Sequence, residues 1–173
     1  MVDWDGIVRR EGPAVWRTLY RLLGNRADAE DCFQETFLAA LAVWKREAVQ
    51  HPHAMLNRLA TARALDRLRR RYRHNARERG GMELDEVRSG EAMPSQLAEA
   101  SELSEKLREA IATLPEKQAQ AFCLFYLEGW DYQEIAGRQE GTVNAVGVLL
   151  HRARTRLREL LGDVVGEPAR TGL

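Results

Sequence analysis

Between two stretches of helical apolar periodicity lies a segment, residues 76–105, that cannot belong to any core. It holds 8 Asp/Glu against 3 Arg/Lys, carries Gly80-Gly81, Gly90 and Pro94, and shows no sustained apolar period. Such a stretch stays in water and turns easily. A chain of 173 residues interrupted in this way folds around two centres instead of one. Strand signals are absent on both sides. The expected fold class is all-α, with two small helical domains at 1–75 and 103–161, an acidic linker at 76–102 and a short tail at 162–173.

Charge acts locally, and the total conceals it. The chain has 26 Lys/Arg and 26 Asp/Glu. Residues 1–75 nevertheless hold 14 basic against 9 acidic side chains, the linker reverses that sign, and residues 106–173 balance at 9 each. A basic first domain fits a polyanionic partner. Charged residues at 30% and a mean hydropathy of −0.46 describe a globular chain, not a disordered one. No apolar run approaches the ~18 residues that span a bilayer, so membrane insertion is not expected. The start, Met1-Val2-Asp3-Trp4-Asp5, has neither a basic head nor an apolar stretch and is no secretory signal. Cys32 and Cys123 lack CxxC spacing and fit buried, reduced thiols in a cytoplasmic protein.

In the first domain, Gly12-Pro13 is expected to break the chain, with Pro13 opening a helix that ends near Gly24-Asn25. The next helix starts acidic at Asp28, Glu30 and Asp31, as the dipole favours. Its apolar stripe runs Phe33, Phe37, Ala40, Leu41, Trp44, leaving Asp31, Gln34 and Glu35 off the stripe. A third helix is expected from His53 to Arg73 with an inner face of Met55, Leu59, Ala62, Leu65, Leu68 and Tyr72. In the second domain, Leu103, Leu107 and Ile111 mark one helix, and Leu114-Pro115 opens another that stops at Gly129. Asp131 and Glu134 have capping-box spacing for a short helix, Tyr132 to Ala136. Thr142 is a good N-cap for a longer helix with a core stripe of Val143, Val146, Leu150, Ala153, Leu157 and Leu160. A short helix, a tight turn and a basic helix make a helix-turn-helix pattern.

Two arginine groups carry the chemistry. Arg67, Arg69, Arg70, Arg71 and Arg73, followed by His74, Arg77 and Arg79, offer planar donor forks suited to a row of phosphates. The competing reading is a solvated helix end whose cations favour the dipole; the density favours nucleic acid. Arg152, Arg154, Arg156 and Arg158 alternate along the last helix, so they cannot all face one backbone. Enzyme signals are weak. His51-Pro52-His53 has no third ligand, the cysteines have no companion base, and there is no glycine-rich phosphate loop. No catalytic residue, metal or cofactor is assigned.

Five segments together carry a family resemblance: Ala29–Phe37 (AEDCFQETF), Asp66-Arg67-Leu68-Arg69-Arg70, Leu114-Pro115-Glu116-Lys117-Gln118, Tyr132-Gln133-Glu134-Ile135-Ala136, and Leu150-His151-Arg152-Ala153-Arg154. In this order they resemble the extracytoplasmic-function sigma factors of bacteria. The resemblance implies a non-enzymatic initiation factor that binds core RNA polymerase and selects promoter DNA, with an anti-sigma protein left open as a further partner. It implies that residues 1–75 serve polymerase and the −10 element and residues 103–161 the −35 element. By the same resemblance, Asp31, Gln34 and Glu35 lie in the helix that docks on polymerase. Asp66, Arg67, Arg69 and Arg70 meet −10 DNA, with Arg71 and Arg73 in the same cluster. Thr142, Asn144, Ala145, His151 and Arg152 belong to the recognition helix or its flank, with Arg154 beside them.

The chain departs from the family pattern in places. Met55 stands where Trp is frequent, Ala62 where Asn is, and Ala119 where Arg is expected. The turn reads Arg138-Gln139-Glu140-Gly141, its glycine displaced by one, and Gly147-Val148-Leu149 replace a more polar run. Two other readings compete: a helix-turn-helix regulator acting without polymerase docking, and a degenerate sigma-like interaction protein. The first explains the second domain but gives no role to the acidic helix and arginine cluster.

Overall fold

A computed structural model describes residues 3–46, 48–79 and 95–162, with residues 79 and 95–103 described by their backbone alone. Among the described residues there are seven helices and no strand. The helices are α1 (Trp4–Leu23), α2 (Arg26–Trp44), α3 (Pro52–Arg79), α4 (Ser95–Thr113), α5 (Glu116–Tyr126), α6 (Tyr132–Arg138) and α7 (Val143–Leu161). The all-α expectation holds.

The first three helices form one bundle. Asp3 caps α1 by accepting from the Gly6 amide at 2.9 Å, and Gly24, at φ +71°, ends it. Pro13 does not open a helix as expected; it lies inside α1. Proline inside a helix forfeits a hydrogen bond and crowds the preceding turn. Here it is exposed, while buried Ile7 and Val15 anchor the helix on either side of it. Packing has overruled the local break signal. Asn25 caps α2, accepting from the Asp28 amide at 2.8 Å. The α2 side turned inward is Ala29, Cys32, Thr36, Phe37 and Ala40, with Phe33, Leu41 and Trp44 only half-buried. Trp4 stands edge-on to Trp44 (5.3 Å) and Phe37 (6.1 Å), joining α1 to α2. On α3 the buried apolar set is Met55, Leu56, Ala60, Ala64, Leu65 and Leu68, with the polar Asn57 and Thr61 buried among them, while Leu59, Ala62 and Tyr72 of the expected inner face are half-buried.

Helix α3 runs to Arg79 and α4 begins at Ser95, so the ends of the expected linker, 76–79 and 95–102, are helical. The glycines, Pro94 and the acids Glu83, Asp85, Glu86 and Glu91 lie outside the described residues, as does the tail from 163. In the second domain, Asp131 and Glu134 complete a reciprocal capping box, each bond 2.8 Å. Thr142 accepts from the Ala145 amide at 3.1 Å and caps α7. Val146, Leu150, Ala153 and Leu157 are buried along α7, but the expected end members Val143 and Leu160 are 46% and 43% exposed. They lie at the first and last turns of the helix.

The two domains are in contact. Ala110, Ile111, Leu114, Ala119, Phe122, Cys123, Ala153 and Leu157 share one apolar cluster with the core of the three-helix bundle. A smaller cluster, Ala121, Leu124, Trp130, Ile135, Val146 and Leu150, is built from the second domain, with Ala54 of α3 packed against it.

Candidate nucleic-acid interface

Asp31, Gln34 and Glu35 project from α2 and are exposed. Their spacing of three and four puts them on one face of the helix. The opposite face carries Cys32 and Thr36, and the Thr36 hydroxyl donates to the Cys32 carbonyl at 2.7 Å. The α2 acids do not stand alone. Arg67 of α3 reaches Asp28 at 3.2 Å, Glu35 at 3.4 Å and Asp31 at 3.7 Å. Partial burial opposes the Arg67 charge, but Cys32 and these three acids outweigh it and raise its pKa.

The arginine row divides. Arg67 serves the α2 acids. Arg69 donates to the Leu114 carbonyl at 3.2 Å. Arg71 donates to the Leu23 carbonyl at 3.0 Å and sits 3.5 Å from Glu105. Orphan carbonyls at a helix C-terminus attract cations, and these arginines answer that demand. Arg70 and Arg73 remain exposed, Arg70 pairing with Asp66 one turn back at 2.9 Å. Arg77 is exposed as well. Sequence reasoning missed Arg63, which is also exposed. It lies seven residues, two helical turns, before Arg70, so projecting the row backwards along the helix would have found it. Arg63, Arg70, Arg73 and Arg77 form an outward cationic stripe. The Arg79 side chain lies outside the described residues.

In the second domain Thr142, Asn144, Ala145, His151 and Arg152 are exposed, while Arg154 is half-buried. The first turn of α7 therefore presents small polar and apolar groups beyond a capped N-terminus, as a recognition helix requires. Beside it Lys117, Glu140, Ala145, Val148 and Leu149 line a shallow groove. The displaced turn glycine has a structural counterpart. Glu140, not Gly141, occupies the left-handed region at φ +53°, and the Gly141 amide closes the turn on the Ala136 carbonyl at 2.9 Å. Ala119 is fully buried at the junction of the domains, with no room for an arginine.

The remaining titratable groups need no catalytic role. His53 contacts Glu11 at 2.8 Å and Asn57 at 3.1 Å. Among the described residues no group of His, Cys, Asp and Glu is placed to hold a metal. Burial pushes the Cys32 thiol up and that of Cys123 to about 12, so neither is a ready nucleophile. No described helix is long and apolar enough to cross a membrane.

The Sigma-70 region 2 family model matches residues 7–74, and the Sigma-70 region 4 model matches residues 104–157. This chain belongs to the extracytoplasmic-function sigma factors. It is 33% identical over 99% of its length to the ECF RNA polymerase sigma factor SigE of Mycolicibacterium smegmatis, of which it spans 66%. It is 30% identical to the RNA polymerase sigma factor CarQ of Myxococcus xanthus, with 96% of this chain and 94% of that one aligned. A solved structure of the sigma factor RpoE in complex with the anti-sigma factor NepR from Bartonella quintana shares the fold, with a TM-score of 0.54 at 21% identity over 92% of this chain and 96% of that one. Sigma factors are initiation factors, not enzymes, and the family implies core RNA polymerase and promoter DNA as partners. The region 2 match disfavours a helix-turn-helix regulator without polymerase docking.

Proposed function

We propose that this sigma factor docks on core RNA polymerase through Asp31, Gln34 and Glu35. The outer stripe of α3, with Arg70 and Arg73 at its centre and Asp66 beside them, meets the −10 element. The exposed start of α7, Thr142, Asn144 and Ala145, enters the −35 major groove, and His151 and Arg152 flank the backbone. Arg67, Arg69 and Arg71 act by holding α3 against its neighbours, and Arg154 supports α7 from its half-buried position. Val148 offers an apolar contact suited to thymine methyls. Such work is done in the cytoplasm, where polymerase and chromosome meet.

The observation that carries this reading is the pairing, in one chain, of an exposed acidic face on α2 with a capped helix-turn-helix. A regulator binding DNA unaided has no use for the first, and a docking protein has no use for the second. Run-off transcription with bacterial core polymerase, on a template bearing the gene's own upstream region, tests it. Specific transcripts are expected with the intact chain and none with core alone. Core binding without transcripts leaves the degenerate sigma-like reading standing, and DNA binding without core affinity overturns polymerase docking.

A further inference from the structure

Two cavities open along the seam between the domains, lined by residues that neither polymerase docking nor promoter contact uses. The first, about 230 Å³, is walled by Arg17, Thr18 and Arg21 of α1, by His53 and Asn57 of α3, and by Glu128 beyond α5. The second, about 400 Å³, is walled by His51, His53 and Ala54 at the start of α3 and by Trp130, Gln133 and Arg138 around α6. His53 lines both. Clefts between domains are a favoured place for small ligands.

The two cavities differ in chemistry. In the first, Arg17 and Arg21 stand about one turn apart on the same face of α1. Arg21 gives one nitrogen to the Leu127 carbonyl, which leaves most of its donor fork. Arg17 is exposed and forms no ion pair among the described residues. Two forks so placed match a group with several anionic oxygens, phosphate above all. Glu128 shares that wall, one of its oxygens accepting from the buried Thr18 hydroxyl at 2.7 Å. A carboxylate there repels a bare anion and favours a ligand that also brings hydroxyl donors.

The second cavity is bounded by flat rings. Trp130 is almost wholly buried and so makes a fixed aromatic wall. His53 is held at both ring nitrogens, by Glu11 at 2.8 Å and by Asn57 at 3.1 Å. Walls of this kind suit a planar ligand ring. Gln133 is exposed beside them and offers both a donor and an acceptor to the edge of such a ring.

Phosphate, hydroxyls and a flat ring with a hydrogen-bonding edge are the parts of one kind of small molecule. We propose that the seam is a binding site for a nucleoside phosphate. The phosphates lie on Arg17 and Arg21, the ribose hydroxyls turn to Glu128, and the base lies past His53 against Trp130 and Gln133. The site uses none of the residues assigned to polymerase or promoter, so it stands or falls apart from those roles.

Isothermal titration calorimetry of the full chain in magnesium-free buffer tests it, with GTP, ATP and inorganic tripolyphosphate as probes. At least one nucleotide is expected to bind roughly tenfold more tightly than tripolyphosphate. Arg17→Gln is expected to weaken nucleotide and tripolyphosphate alike, by roughly tenfold. Gln133→Ala is expected to weaken the nucleotide alone, at unchanged helicity by circular dichroism. The Arg70→Gln, Arg73→Gln double variant is expected to bind nucleotide as the wild type does. No binding at millimolar nucleotide overturns the proposal. Equal affinity for nucleotide and tripolyphosphate also overturns it, since that is a phosphate site without a base. Binding lost in the α3 double variant, but kept in Arg17→Gln, would put the anion on the outer stripe and overturn the seam.

Discussion

At the scale of single residues, the structure shows what the recognition turn cost this chain. Glu140 holds φ +53°, a conformation that strains an L residue by about 1–2 kcal/mol. Glycine there would relieve that strain while adding about 0.5–1 kcal/mol of unfolded-chain entropy. Glu140→Gly is therefore expected to stabilise the protein by about 0.5–1 kcal/mol, read as a higher midpoint in urea; a lower midpoint would mean that the Glu140 side chain carries an interaction of its own. A second residue-scale expectation concerns pH. Burial raises the Cys123 thiol from 9.0 to about 12, so the unfolded chain loses this proton before the folded one does. The resulting stability is complete below pH 9 and is lost as pH rises toward 12. Cys123→Ala is expected to flatten that alkaline fall in urea unfolding at successive pH values, whatever it does to stability at neutral pH. The burial of both cysteines was legible in the sequence from their apolar neighbours. The left-handed Glu140 was not, because a displaced glycine tells that a turn is unusual without telling which residue bears the strain.

At the scale of helices, sequence alone located the arginine row but not its division of labour. Periodicity orders residues around one helix; it carries no information about which neighbour packs there. Arg67 faces α2, and Arg69 and Arg71 face the ends of α4 and α1. Those partners are distant in sequence, so the split appears only in three dimensions. The same limit explains Pro13, whose local break signal was sound but outweighed by apolar anchors on both sides. The capping of α6 and α7, by contrast, depends on residues three apart and was fully legible. The division changes which substitutions test phosphate contact. Replacing Arg70 and Arg73 together by Gln should lower the salt-dependence slope of DNA binding by about one to two units at little cost to folding. Arg69→Gln should act first on domain contact. Titration of a fluorescent promoter fragment at several salt concentrations separates them, and an unchanged slope in the Arg70/Arg73 double variant would sink the phosphate role of the stripe.

At the scale of the whole molecule, the acidic segment that divides the sequence does not divide the core. Two domains were expected from it, yet Ala119, Phe122, Cys123 and Leu157 pack into the cluster built on α1–α3. Apolar surface shared between domains couples their unfolding, because neither can open without exposing part of the other. The free chain is accordingly expected to melt in one transition, with calorimetric and van't Hoff enthalpies equal. Weakening the polar rim through Glu105→Gln, whose carboxylate joins Arg71, Tyr72 and Arg108, should broaden that transition or resolve it into two. Two separate transitions in the wild type would instead mean that the shared cluster contributes too little to hold the domains together. The outcome bears on function through energetics: if docking parts the domains, polymerase must replace whatever free energy their contact supplies. A single sharp melt therefore predicts that core binding costs part of its affinity to opening, and that Glu105→Gln binds core more tightly than the wild type. Measuring that affinity by fluorescence anisotropy completes the argument, since a cooperative melt with no gain in core affinity would show that docking leaves the domains closed.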